Sequence, residues 1–524
     1  MLLTALLTLM TLLFGYRLLR FFTNYLEARR IGLPIVITPF TWQDSFWILF
    51  GPRFSWIRCL PFGLGSWYKY SYMGWTLHDR YQTYARLGTK AITVVSPGRN
   101  EIMLGDADAI TEVAGRYKKW NRPRQLYKVF ATFGENVDSV NGDNWQRHRK
   151  VTGHGFREHN NKLVWESATK QAREWMATWD SPNSERSMKI IEEDINTIAM
   201  NVLMFASFGQ DYGFVDGGTK DVPSGHTKSF REIMPFMLKN VGLAWATRSF
   251  TLPKMLEPKS LATLRETKNE LFQYFDESLR KADGDFVKSF VEANENEKKG
   301  GRQHLTKDEL FGNMYMIQLA GFDTTSNAML LTMALLATHP EVQEWIFEEL
   351  GQVEAYEDTY PAAIRCRAAM HETLRMYSTA PGIVRHSSNI ETINIGGKRV
   401  IVPAETFVSV NFTGHHHDPD VWGPDVHDWK PQRWVETVDG KEQFKQSPDV
   451  LAWSIGPRIC PGKKFSQVEY TAVVSTLLRQ YRFEASASLH DAFNDFKFVV
   501  APKIKRPIID AASIKFIRRQ TKSV

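Results

Sequence analysis

Hydrophobic and polar positions alternate in three distinct ways along this chain. Residues 2–14, LLTALLTLMTLLF, are apolar apart from threonines, and after Arg17 the run resumes at Leu18, Leu19, Phe21 and Phe22. A helix over residues 1–22 would measure about 33 Å. With Arg17 and Arg20 snorkelling to the bilayer edge, it is expected to be a transmembrane signal anchor. Arg17, Arg20, Arg29 and Arg30 follow the apolar run, which argues against a cleaved signal peptide and keeps the carboxyl side cytoplasmic. Residues 40–75 are crowded with aromatic rings, but their longest apolar run, FWILF, is too short to cross a bilayer. Residues 23–69 are therefore expected to be a linker, with packing or membrane-surface contact both open.

Further on, the period becomes helical. Thr306 and Glu309 have capping-box spacing and open a run to Ala337, about 46 Å if helical. That run is apolar nearly all round, as a helix buried on every side should be. Its centre nevertheless reads Ala320, Gly321, Phe322, Asp323, Thr324, Thr325, Ser326, Asn327. Such residues compete for backbone hydrogen bonds, so they mark either a helix end or a functional site. Pro361 is expected to open the next helix, which carries Glu372 and Arg375 on one face. The segment ETINIGGKRVIVPAETFVSVNF alternates with period two around Gly-Gly, as paired strands do. A polar meander from Gly414 to Val450 follows. The expected fold class is mainly α with smaller β-sheets (α+β). No linker, repeat or charge block divides residues 70–510, which are read as one catalytic domain. The basic end at 511–524, with Lys515, Arg518, Arg519 and Lys522, is expected to be solvated and mobile.

Composition excludes some alternatives. Three cysteines in 524 residues cannot build a disulfide framework and show no zinc-ligand pairing. The net charge of +7 is spread along the chain, which does not mark a nucleic-acid surface. It suits an anionic membrane or an acidic protein partner. His415, His416 and His417 are adjacent, and in an extended segment adjacent side chains point apart, so a loop role is expected rather than a metal site.

The third pattern surrounds a cysteine: W-S-I-G-P-R-I-C-P-G-K-K-F-S-Q-V-E over residues 453–469. Gly456 and Gly462 give the backbone latitude, Pro457 and Pro461 stiffen it, and helical periodicity starts after Gly462. Cys460 therefore sits just before a helix amino terminus, whose open N–H groups and dipole favour thiolate over thiol. It is either a metal-binding thiolate or a buried structural cysteine.

The segment resembles the haem-binding signature of the cytochrome P-450 family, matched by Trp453 (usually Phe), Gly456, Arg458, Cys460 and Gly462. Ala320–Thr325 is similar to the family's oxygen-activation motif, and Glu372 with Arg375 to its Glu-x-x-Arg pair. Trp429–Trp434 resembles the segment whose arginine, here Arg433, joins that pair. Trp145 and Arg149 match a helix that binds a haem propionate, and Arg385 stands where another propionate-binding arginine is usual. The resemblance covers residues 70–505.

It implies haem b with Cys460 as the axial ligand of the iron, cofactor contacts from Trp145, Arg149, Arg385 and Arg458, and a structural Glu372–Arg375–Arg433 cluster. A thiolate ligand favours O–O cleavage, hence O2 as co-substrate. Asp323 and Thr324 would be catalytic, delivering protons through ordered water. No phosphate-binding glycine fingerprint is evident, so electrons would come from NADPH through a partner reductase, with cytochrome b5 as an additional donor. That partner would dock near Lys463, Lys464, Arg147 and Lys150. The substrate would be a lipophilic small molecule met by residues 122–137 and 205–250, Ala320, Ile383 and Val384. The family style is that of fungal secondary-metabolism enzymes at the endoplasmic reticulum membrane. An O2-independent isomerase or dehydratase, or a non-catalytic haem or ligand binder, are the rival readings.

Overall fold

The computed structural model describes every residue except 1, 73, 180–182, 216–221, 248–256, 283, 302, 352–354, 495–511 and 521–524. Parts of the expected substrate region 205–250, the last stretch of the expected catalytic domain and Lys522 thus lie outside the described residues. The chain gathers into two compact units. The first comprises Met1–Leu126, Arg375–Asp428 and Ser447–Ile459; the second comprises Tyr127–Leu374, Trp429–Gln446 and Cys460–Val524.

The first unit is built on a five-stranded sheet in the order 35–37, 91–95, 100–104, 407–411, 382–386. The pairings alternate parallel, antiparallel, parallel, antiparallel. Its three inner strands are buried at every position; AITVV at 91–95 accordingly reads as a nearly continuous apolar run, while the other two bury Asn100, Glu101, Ser409 and Asn411 as well. The strands 391–395 and 398–402 pair antiparallel, as expected. Their turn is Gly396–Gly397 with φ of 56° and 76°, the left-handed conformation that a tight two-residue hairpin requires. Helix α1, Leu2–Ile31, lies beside this sheet, and α2, Ala107–Gly115, is capped by the Asp106 carboxylate, which accepts from the Ala109 N–H.

Helix α1 corrects the expectation of a transmembrane anchor. Among the described residues no helix is long and apolar enough to cross a membrane. The helix overruns residue 22, and its carboxyl-terminal part belongs to the fold. Asn24, Ala28 and Ile31 are buried, and Asn24 donates to the Ser96 carbonyl while its own carbonyl accepts from Asn100. Arg17 donates to the Pro39 carbonyl and stands over the Phe40 ring, which ties a charge into the apolar run. The aromatic stretch after it divides. Trp47, Tyr68, Tyr70 and Trp75 are buried, whereas Phe46, Phe50, Phe54, Trp56 and Phe62 face outward.

The three histidines are not extended either. They lie at the end of a short helix, Phe412–His416, and all are buried. Among the described residues no three-group metal cluster forms. His416 is neutral by geometry, since its Nε2 accepts from the Leu451 N–H, and burial holds its pKa well below the usual histidine value.

The second unit is mainly helical. Helices α3 (Gly142–Thr152), α4 (Glu158–Ala177) and α5 (Met188–Phe208) precede the long α6 (Lys307–Thr338), then α7 (Ile364–Met376) and α8 (Lys463–Gln480). Helix α6 packs against α5 and α8 and is opened by the expected capping box, with Thr306 and Glu309 each bonding the other's backbone N–H. Its core is aromatic and sulfur-rich: Phe133, Phe275, Phe311, Met314 and Tyr315 cluster with Met204 and Met237. Pro361 does not open α7. It ends the preceding helix, Tyr356–Ala362, and the Glu349 carboxylate caps α7 by accepting from the Ile364 and Arg365 N–H groups. The basic end is corrected too: Ser513–Arg518 is the central strand of a sheet ordered 481–485, 513–518, 183–187. Ile514 and Phe516 alternate inward and are fully buried, so Lys515 between them points away from the core, while Arg518 is exposed at the strand's end.

Candidate active site

The polar centre of α6 is helix, not a helix end. Its side chains return their hydrogen bonds to the helix: the Thr324 hydroxyl donates to the Ala320 carbonyl at 2.8 Å, and the Asn327 amide and Ser326 hydroxyl to that of Asp323 at 2.6 and 3.2 Å. Around it the helix is buried from Leu310 to Met316 and from Thr325 to Ala337, yet Ala320, Asp323 and Thr324 are exposed. A window of small and polar side chains thus opens in a helix otherwise enclosed. Gly321 seats against α5, where a Cβ would meet Leu203 at 3.1 Å.

Cys460 lies before α8 and is exposed, whereas Cys366 is fully buried and burial pushes its thiol pKa up. The two cysteines therefore differ in the property that decides reactivity. Arg149 and Lys463 are half-buried cations whose pKa values burial lowers and the neighbouring Cys460 partly restores. Trp145, one turn before Arg149 on α3, is buried. An exposed cysteine at a helix amino terminus, with two cations that feel its charge and an indole one turn from Arg149, suits an anionic, flat, metal-bearing macrocycle. On the first unit, Arg385 and Arg458 are both buried, Arg385 donating to the Val384 carbonyl. Gly456 has φ of 71°, and a Cβ there would meet the Ala114 carbonyl oxygen of α2 at 2.9 Å, so glycine is required before Arg458.

The residues of the expected charge cluster meet partners within each unit that the sequence did not reveal. Within the second unit Glu372, wholly buried, accepts from Arg433 Nε at 2.8 Å, Trp434 Nε1 at 3.0 Å and the Lys430 N–H at 3.1 Å. Within the first unit Arg375 donates to the carbonyls of His416 and Val426 at 2.8 and 2.9 Å. One arginine locks the meander's backbone while the other meets the carboxylate.

The positive docking charges are largely answered inside the chain. Arg147 is held by Glu309, Lys150 by Glu297 at 2.8 Å, and Lys464 lies 3.8 Å from the centre of the Tyr360 ring.

The window on α6, the exposed cysteine before α8 and the pair of buried Glu372 with Arg433 all lie on the helical unit, an arrangement that fits an oxidoreductase with a cysteine-held cofactor. The chain belongs to the cytochrome P-450 family: the family model matches residues 60–506. A cytochrome P-450 monooxygenase of Arthrobotrys oligospora is 29% identical over 518 residues, covering 88% of each chain. A phomenoic acid biosynthesis cluster cytochrome P-450 monooxygenase of Leptosphaeria maculans is 27% identical and covers 91% of each. A crystal structure of a cytochrome P-450 superposes with a TM-score of 0.63 at 16% identity, over 84% of this chain and 94% of that one, which shows the shared fold. The protein is an oxidoreductase of the monooxygenase type, and its family implies haem iron and O2.

Proposed function

We propose that Cys460 ligates the haem iron and that the protein oxidises a lipophilic small molecule with O2 and two electrons from NADPH, delivered by a partner reductase. The observation that carries this reading is the exposed Cys460 at the amino terminus of α8, with Arg149 close enough for its charge to respond to the thiolate. Bound haem supplies activation of O2. Trp145 and Arg149, on the unit that carries Cys460, would hold it, and the resemblance assigns the same role to Arg385 and Arg458. The Thr324 hydroxyl, donating to Ala320, keeps its lone pairs toward the window, where it orients water, and the Asp323 carboxylate beside it relays protons. Thr325, buried on another side of the helix, takes no part.

Secondary metabolism is the pathway class, supported by the biosynthesis-cluster relative. Residence at the endoplasmic reticulum membrane is proposed through the exposed apolar surface of α1 and residues 46–64 rather than through a spanning helix. Purified protein with a fungal NADPH-dependent reductase should oxidise NADPH in step with product when offered lipophilic extracts. Product formed without O2 or reductase would replace this reading with an isomerase.

A further inference from the structure

We propose that His148 and Asn313 are positioning residues that fasten the loop 133–140 onto α6, and that this fastening sets which ligands the α6 window admits. The inference rests on the reading above that residues 122–137 line the substrate's path.

Three elements of the second unit meet at Asn313. Its carboxamide nitrogen donates to His148 Nδ1 of α3 at 2.8 Å and to the Glu309 carbonyl at 2.6 Å, while its oxygen accepts from the Val137 N–H at 2.9 Å. Reversing the amide would set an oxygen against the Glu309 carbonyl and an NH2 against the Val137 N–H, so only one orientation satisfies the network. That orientation makes His148 Nδ1 an acceptor, so its proton sits on Nε2, which lies 3.3 Å from a Glu309 carboxylate oxygen. Glu309 is itself pinned, accepting from Arg147 and from the Thr306 N–H. His148 and Asn313 are both fully buried. Neither has water to replace a lost partner.

The loop is shaped to lie there. Gly134 has φ of 141°, and a Cβ on it would meet the Asp308 carbonyl oxygen at 2.0 Å; one on Gly312 would meet the Gly134 oxygen at 2.5 Å. The two backbones therefore touch with no side chain between them. Asn136 braces the loop internally, accepting from the Asp138 and Ser139 N–H groups and donating to the Phe130 carbonyl. The Asn313 carboxamide is thus a hydrogen-bonded link between this internally braced loop and α6.

Position along α6 gives the functional consequence. Asn313 and Ala320 are seven residues apart, two turns on one face of the helix, or about 10 Å. The loop thus flanks the window on the side that carries Ala320 and Thr324, and α3, which carries Trp145 and Arg149, is tied to the same point. Helix formation by α6 does not itself ask for a histidine-to-amide bond here. The polar link fixes register between the loop, the window and α3.

The test compares His148→Phe, His148→Gln and Asn313→Leu with the parent as haem-loaded full-length proteins. Glutamine restores an acceptor for Asn313 and a donor for Glu309; phenylalanine restores neither. Hydrogen exchange of the peptide spanning residues 134–140 should accelerate roughly tenfold or more in His148→Phe, the weight of about one hydrogen bond, and return toward the parent in His148→Gln. Imidazole and phenylimidazole, both haem-iron ligands, serve as small and bulky probes. The affinity for phenylimidazole should change roughly tenfold in His148→Phe while that for imidazole stays within about twofold. Unchanged exchange in a folded His148→Phe overturns the fastening itself. Faster exchange with parallel changes for both probes overturns the role in selection, and with it the reading of this loop as part of the substrate's path. If Asn313→Leu does not fold, the phenylalanine and glutamine pair decides alone.

Discussion

At the scale of single residues, chemistry is concentrated where local rules are broken. Cys460 is exposed and charge-flanked while Cys366 is sealed, so Cys460→Ser should retain the fold and lose the absorption at about 450 nm that the reduced, carbon-monoxide-bound protein shows with a thiolate ligand. A band that persists in that variant removes the ligand assignment. Thr324→Ala should bind haem and substrate normally, because alanine is the better helix former and the hydroxyl's bond is to its own helix. Product should fall about 10- to 1000-fold while NADPH consumption continues and hydrogen peroxide accumulates. Thr325→Ala, at a buried position, should leave coupling unchanged. Product, peroxide and NADPH measured together decide the matter, and tight coupling in Thr324→Ala takes the threonine out of proton delivery. These residues were legible in the sequence because polar groups mid-helix and a cysteine between glycines are costly choices without a use. His148 and Asn313 were not, because a buried hydrogen bond between residues 165 apart leaves no trace in spacing.

At the scale of elements, the sequence announces those whose signal is local. The capping box of α6 and the Gly-Gly hairpin appear where pattern placed them. The strand 513–518 was hidden because Lys515 stands between its two buried positions and Arg518 at its exposed end, and its partners lie at 481–485 and 183–187. Pro361 misleads for a related reason: the true cap of α7 is Glu349, which tertiary folding brings to it. Helix α8 carries a buried group with a measurable consequence. Glu469 is fully buried, and desolvation raises its carboxyl pKa well above the usual range. Its folded state keeps a proton that the unfolded chain releases above about pH 4.5, so stability is present below that value and is lost as pH rises toward the folded pKa. Glu469→Gln removes the penalty. The variant should match the parent near pH 4 and gain up to about 1.4 kcal/mol of relative stability per pH unit as pH rises to 8, read as a progressively higher unfolding temperature. A difference in unfolding temperature that stays constant from pH 4 to 8 contradicts a protonated Glu469.

At the scale of the whole molecule, the apolar run of the amino terminus was legible, but the geometry of its helix was not. An 18- to 22-residue apolar count ignores what the other end of the helix does, and here that end is docked by Asn24 and buried at Ala28 and Ile31. What remains outward is an unusual amount of apolar surface for a water-facing chain: Leu9, Met10, Leu12, Phe14 and Leu19 on α1, then Phe46, Trp56, Leu64 and Phe62, the last 99% exposed. A cleft of about 720 Å³, lined by Phe14, Leu18, Phe21, Phe40 and Phe46, joins the helix to the aromatic segment, so the two form one surface. Such a surface is stable when its rings and aliphatic chains sit at the bilayer boundary. Net charge of +7 adds attraction to anionic headgroups. The protein should therefore bind vesicles containing phosphatidylserine more tightly than neutral ones, and salt should weaken only the difference between them. Replacing Trp56, Phe62 and Leu64 together by serine should lower the partition coefficient by at least about tenfold with α1 intact, since each large apolar side chain withdrawn from water is worth about 1.5–3 kcal/mol. Sedimentation with vesicles reads this directly. If the triple variant binds as the parent does, residues 46–64 pack against protein or face water, and α1 alone carries the attachment.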